Sequence, residues 1–143
     1  MKVTNEMKVQ FLSRSVNEGF ARLAAAAMVM QCDPTLEELS DIKVAVSEAV
    51  TNSIVHGYPG VTGFINMECR LFEDGLVEIS VIDYGRGIED VDKARQPLFT
   101  TNSDGERSGM GFTVMETFMD SVQVESALGR GTRVVMQKRL TPR

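Results

Sequence analysis

The chain contains no tryptophan, one histidine, two cysteines and four prolines among 143 residues. Each scarcity removes a class of protein. One histidine with Cys32 and Cys69 offers no zinc-ligand pattern, because a structural zinc takes about four nitrogen or sulfur ligands. The cysteines lie far apart without paired spacing, which points to a reducing compartment. Long apolar runs are also missing. The longest, 23–30, falls far short of the roughly 20 residues that span a bilayer. The first residues lack the basic-then-apolar layout of a secretion signal. The expected location is therefore the cytoplasm, with no membrane contact. Positive charge is scarce too: 15 basic against 20 acidic residues give a net charge of −5. No basic run exceeds Lys138-Arg139, which argues against direct nucleic-acid binding.

What is present is ordinary for a globular protein, with 43% hydrophobic and 24% charged residues. The length predicts one domain over 1–143, large enough to bury a real core. A short strand is expected over 7–13. An alanine-rich helix follows over 16–31, with Phe20, Leu23, Ala24, Ala27 and Met28 at helical spacing. Asp33-Pro34 breaks it. Thr35-Leu-Glu-Glu38 reads as a capping box, hydroxyl first and carboxylate three residues on. The helix it opens is expected to run to about His56, where Gly57-Tyr-Pro-Gly60 stops it. Strands over 63–72 and 76–83 join across Glu73-Asp74-Gly75. The stretch 84–108 lacks sustained periodicity apart from one helical turn near 90–94, and long irregular segments in compact domains are usually functional lids. A helix over 109–119 and a second hairpin, 121–126 with 132–139, complete the chain. Helices gathered apart from a mainly antiparallel sheet predict an α+β two-layer sandwich, helices on one face.

Three motifs carry chemistry. In Glu48-Ala-Val-Thr-Asn52 a carboxylate and an amide stand one helical turn apart. Spacing of about 100° per residue puts Ile42, Val46, Ala49 and Ser53 on one stripe. Asp41, Ala45, Glu48 and Asn52 fall on another, roughly a right angle away. Glu48 and Asn52 thus flank the buried face, where a cleft edge would be. Asn52 can give an amide oxygen to Mg²⁺, and Glu48 can accept a proton from an attacking hydroxyl. Such pairs also occur on plain solvated helices. In the second motif Val77, Ile79, Val81 and Asp83 share strand parity, so the acid points to the covered face. It needs partners there, and the exocyclic amine of adenine would serve. A turn amide would satisfy it as well. Gly85 and Gly87 permit close backbone approach to a base or ribose. Third, Gly109-Met110-Gly111 opens a helix whose first amides can hold phosphate. Arg107 and Ser108 stand just before it. Thr132 has the parity of Val134 and Met136, so its hydroxyl can reach the pocket of Asp83. His56 is explained as part of a helix end and is not nominated as a phosphoacceptor.

In this order the segments resemble the Bergerat-fold ATPases, the superfamily of gyrase B, Hsp90, MutL and histidine-kinase ATP domains. Glu48 to His56 looks like its N box, Asp83 to Gly87 its D-x-G-x-G box, Gly109 to Gly111 its G-x-G box, and Gly131-Thr132 its terminal G-T. A closer resemblance covers nearly the whole chain. Asn5-Glu-Met-Lys-Val-Gln-Phe11, Asn17-Glu-Gly-Phe-Ala-Arg22, Gln96-Pro-Leu-Phe-Thr-Thr101 and Arg107-Ser-Gly-Met-Gly-Phe-Thr-Val-Met-Glu116 look like the anti-sigma-F factors of spore-forming bacteria.

That family implies a homodimeric serine kinase using ATP and Mg²⁺ and releasing ADP. It holds sigma factor F inactive and phosphorylates an anti-anti-sigma factor, stage II sporulation protein AA. The resemblance implies Glu48 as catalytic base, Asn52 as Mg²⁺ ligand, Asp83 as adenine reader and Arg107 as a phosphate contact. It also implies Thr100 and Thr101 at the nucleotide and Arg22 at the partner surface. Two alternatives stay open: an ATP-gated binding module whose output is sequestration, or a related switch kinase for a stress-response sigma factor.

Overall fold

The computed structural model describes residues 2–95 and 110–142. Five strands form one sheet: β1 (Val3–Leu12), β2 (Phe64–Phe72), β3 (Leu76–Asp83), β4 (Ser121–Ala127) and β5 (Gly131–Arg139). Their order is β1-β2-β3-β5-β4, and every neighbouring pair is antiparallel. The helices are α1 (Asn17–Val29), α2 (Leu36–Asn52), the single turn α3 (Val91–Ala94) and α4 (Met110–Phe118). This is the expected α+β sandwich. Both hairpins form where turn chemistry placed them, with Gly75 and Gly129 at positive φ. Strand β1 starts earlier than expected because its polar first half pairs with β2, from Val3 against Phe72 to Leu12 against Phe64.

The core lies between the sheet and the helices. Alternation along β2 buries Ile65, Met67, Cys69 and Leu71, and along β3 it buries Val77, Ile79 and Val81. Opposite them stand Val29 of α1, Ile42, Val46 and Val50 of α2, and Met115 of α4. Helix α1 departs from expectation. Its buried face is Ala21, Ala25, Ala26 and Val29, whereas Phe20 and Leu23 are 49% and 61% exposed. Small side chains let α1 approach its neighbours closely, so the alanine stripe takes the inside and the bulkier stripe faces out.

The capping box forms as read: Thr35 Oγ1 accepts from the Glu38 amide at 3.0 Å, and Glu38 Oε1 accepts from the Thr35 amide at 2.8 Å. Glu38 also holds the C-terminal segment. Its Oε2 accepts from the amide and hydroxyl of Thr141, at 2.7 and 2.9 Å. Burial pushes the carboxyl's pKa up, but the hydrogen bonds from Thr35 and Thr141 outweigh it and hold the pKa at about 2, against an ordinary 4.5. A depressed folded pKa means the stabilisation is complete above about pH 4.5 and is lost as pH falls toward about 2. Glu38→Gln is expected to lower stability at neutral pH by about 1–3 kcal/mol. In denaturant melts that difference should shrink through this acid window. A pH-independent difference would mean that the carboxylate's charge is not what holds the tail.

Candidate active site

A cleft of about 780 Å³ opens between the end of α2, the end of β3, the α3 segment and the first turn of α4. Asn52, Asp83, Gly87, Gly111 and Thr132, all read from the sequence, line it. Its apolar walls come from Ile88, Ala94, Phe112 and Val134, which motif reading passed over. Val134 was reachable in principle, since it shares strand parity with Thr132.

Asp83 ends β3 on the covered face, beyond Val77, Ile79 and Val81, and is 3% exposed. Its Oδ1 accepts from the Gly85 amide at 3.0 Å. The Ser53 side chain and the Thr132 backbone also bond to the carboxylate. Burial is the largest influence on its pKa and raises it, while those bonds pull the other way without cancelling the rise. A buried acceptor on a cleft floor, supported from behind, suits recognition of an amine donor.

The turn after α2 differs from the expected continuous helix. The α-helix stops at Asn52, and Ser53–Gly57 form one wider turn, closed by the Tyr58 amide donating to Ser53 O at 3.1 Å. Such π turns are rare and concentrate at functional sites. This one brings Ser53 to Asp83 and places Gly57 so close that a Cβ there would sit 2.9 Å from the Asp83 carboxyl. Gly57 O accepts from the Arg86 amide at 2.9 Å. His56 belongs to the same turn and lines the cleft.

The glycines after Asp83 are also required by the packing of the backbone. A Cβ on Gly85 would meet Gly57 O at 2.0 Å, and one on Gly87 would meet Ala127 O at 2.1 Å. Both serve backbone packing, against the π turn and the β4–β5 hairpin. Only Gly87 lines the cleft.

Glu48 and Asn52 do flank the buried face. Ala45 and Ala49 beside them are wholly buried, and Asp41 on their stripe pairs with Lys138 at 3.4 Å. A Cβ on Gly111 would lie 2.9 Å from Asn52 Nδ2 and 3.1 Å from Oδ1. Glycine there lets the first turn of α4 close on the Asn52 amide. Glu48 is half-buried one turn earlier and does not line the cleft. The Thr132 hydroxyl lies 2.8 Å from Ser126 Oγ. Arg22 stands on α1, outside the cleft, with Nη1 donating to Glu18 at 2.9 Å and to Ser47 at 3.5 Å. Met110 opens α4. Thr100, Thr101, Arg107, Ser108 and Gly109 lie outside the described residues. No cluster of three or more His, Cys, Asp or Glu suited to a metal occurs among the described residues. Mg²⁺ bound chiefly by phosphates and water needs only one or two protein oxygens, and the Asn52 amide against a phosphate-type helix start fits that role.

Residues 12–138 match the histidine kinase-like ATPase domain. The chain is similar to the anti-sigma F factor of Clostridium novyi, 57% identical over 95% of each chain. Those of Clostridium kluyveri and a Thermoanaerobacter species are 58% and 56% identical over 94% and 96% of each. Among solved structures, the RsbU and RsbW domains of a Mycobacterium tuberculosis protein align with a TM-score of 0.70 at 22% identity, over 96% of this chain and 32% of that one. A blue-light activated histidine kinase of Erythrobacter litoralis aligns with a TM-score of 0.57 at 20% identity, over 86% of this chain and 61% of that one. These two share the fold. A cleft floored by Asp83, assembled from the ordered motifs of an ATP-using kinase-type domain, agrees with the sequence matches: the chain belongs to the histidine kinase-like ATPase domain family, in its anti-sigma F factor branch.

Proposed function

We propose that this protein binds and inhibits sigma factor F and, as an ATP-dependent protein-serine kinase, phosphorylates a serine of its anti-anti-sigma factor. The observation that carries the reading is identity of 56–58% over nearly the whole chain to proteins named anti-sigma F factor. Asp83 accepts from the adenine amine. The amides opening α4 face the phosphates, and Asn52 offers its oxygen to Mg²⁺, which neutralises phosphate charge when bound. Glu48 sits outside the nucleotide cleft, where a protein substrate would arrive, and takes the serine proton. The serine oxygen bonds to the γ-phosphorus, the bond to the β–γ bridging oxygen breaks, and ADP leaves.

Partner binding is assigned to the surface carrying Arg22, and self-association to the neighbouring edge. Phe20 and Leu23 of α1, with Val16 and Met30 at its two ends, are exposed next to the edge strand β1. An apolar stripe beside an open sheet edge suits a second copy of the chain, since both must otherwise face water. The cytoplasm follows as the location from a sigma-factor partner. No helix among the described residues is long and apolar enough to cross a membrane.

Intact-mass spectrometry of the anti-anti-sigma protein after incubation with this chain and Mg-ATP tests the reading. One added phosphoryl group per substrate chain is expected, and substitution of the acceptor serine should remove it. No transfer by protein that binds ATP would leave a nucleotide-gated binder.

A further inference from the structure

We infer that Tyr58 is a positioning residue for nucleotide recognition, its hydroxyl fixing the backbone that aims Asp83 into the cleft. This rests on the reading of Asp83 as the adenine acceptor. Tyr58 does not line the cleft.

The last residue pair between β2 and β3 at this end is Ile65 with Asp83. The next rung would join Phe64 and Tyr84. In its place the Tyr58 hydroxyl donates to Phe64 O at 2.6 Å and accepts from the Tyr84 amide at 2.8 Å. The phenol therefore ends the ladder and holds the peptide immediately after Asp83. Tyr58 is 8% exposed, and room for its ring depends on Gly63, where a Cβ would lie 2.2 Å from the ring. The same residue's amide closes the π turn by donating to Ser53 O. That turn carries Ser53 and Gly57, which contact the Asp83 carboxylate from the other side. One residue thus fixes both the strand end bearing the acid and the turn that backs it. Burial raises the phenol's pKa above its ordinary value, and the Asp83 charge adds to the rise, so the hydroxyl stays protonated as a donor.

Nothing in strand or helix periodicity would assign this role. Tyr58 lies in a helix-stopping Gly-Tyr-Pro-Gly segment, and its partners are six and 26 residues away.

The test is calorimetric titration of ATP and GTP into the full chain, comparing wild type, Tyr58→Phe, Asp83→Asn and the double variant. Tyr58→Phe keeps the ring and removes the bridge. ATP affinity is expected to fall about fivefold, the size of one hydrogen bond. The preference for ATP over GTP should fall with it, because a carboxylate accepts from the adenine amine and repels the guanine carbonyl. The double variant is expected to match Asp83→Asn alone, since Tyr58 acts through Asp83. A purely structural role would weaken both nucleotides equally and add to Asp83→Asn, and either result overturns the inference. Asp83→Asn without effect on ATP would instead sink the adenine reading on which it rests. Should Tyr58→Phe not fold, hydrogen exchange in the unmodified protein decides the bridge: a protected Tyr84 amide supports it, and a freely exchanging one overturns it.

Discussion

Glu48→Ala is expected to cut phosphoryl transfer to the protein substrate by about a hundredfold or more, the usual contribution of a positioned general base, while ATP binding persists. The separation follows from placement. Asn52, one turn further along α2, lines the nucleotide cleft, whereas Glu48 does not. Glu48 is half-buried, and its helix neighbours Ala45 and Ala49 are wholly buried, so its backbone position is set by the core. Alanine is also the best helix former, and the truncation should leave α2 intact. Single-turnover transfer measured beside calorimetric ATP binding checks both halves. Transfer at the wild-type rate would remove Glu48 as the base. Retained sigma-factor binding by the variant is expected as well, and it would separate the kinase from the sequestering module. Loss of that binding in a folded variant would mean that the two outputs share this residue.

Asp83→Asn is expected to weaken ATP binding tenfold or more, at least about 1.4 kcal/mol. The carboxylate already accepts from the Gly85 amide and bonds to Ser53 and to the Thr132 backbone. Only an acceptor on both oxygens can serve these donors and the adenine amine together. An amide supplies one oxygen and two donor hydrogens. Turned either way, it faces a donor with a donor in a buried site, where an unmade bond costs most. The same acid predicts a pH limit. Burial raises its pKa above the ordinary 3.8, so ATP affinity should decline as pH falls toward that raised value, earlier than for an exposed aspartate. Unchanged affinity in the Asn variant would place Asp83 outside the base pocket.

These expectations rest on features of unequal legibility. The covered orientation of Asp83 follows from strand parity with Val77, Ile79 and Val81, a period of two that any strand must obey. The Thr35–Glu38 capping box and the flanking position of Glu48 and Asn52 follow equally from helical geometry. In each case the interacting positions are a few residues apart, so backbone geometry alone relates them. Of the three motifs, Asn52, Asp83, Gly87 and Gly111 line the cleft.

Tertiary structure decided the rest. Periodicity placed Phe20 and Leu23 on an apolar stripe of α1, but close packing gave the interior to the alanines, because the distance between two layers depends on side-chain size as well as hydropathy. The π turn at Ser53–Gly57 has no local signature. It persists because Gly57 must meet Gly85, and Ser53 must meet Asp83, from segments about thirty residues on in the chain. Gly85 and Gly87 were legible as glycines, while the carbonyls of Gly57 and Ala127 that require them were not. Contacts between distant backbones leave no period in the sequence. The sequence alone therefore determined the fold class, the order of the site motifs and the face on which Asp83 stands, and only the folded chain decided what holds that acid in place.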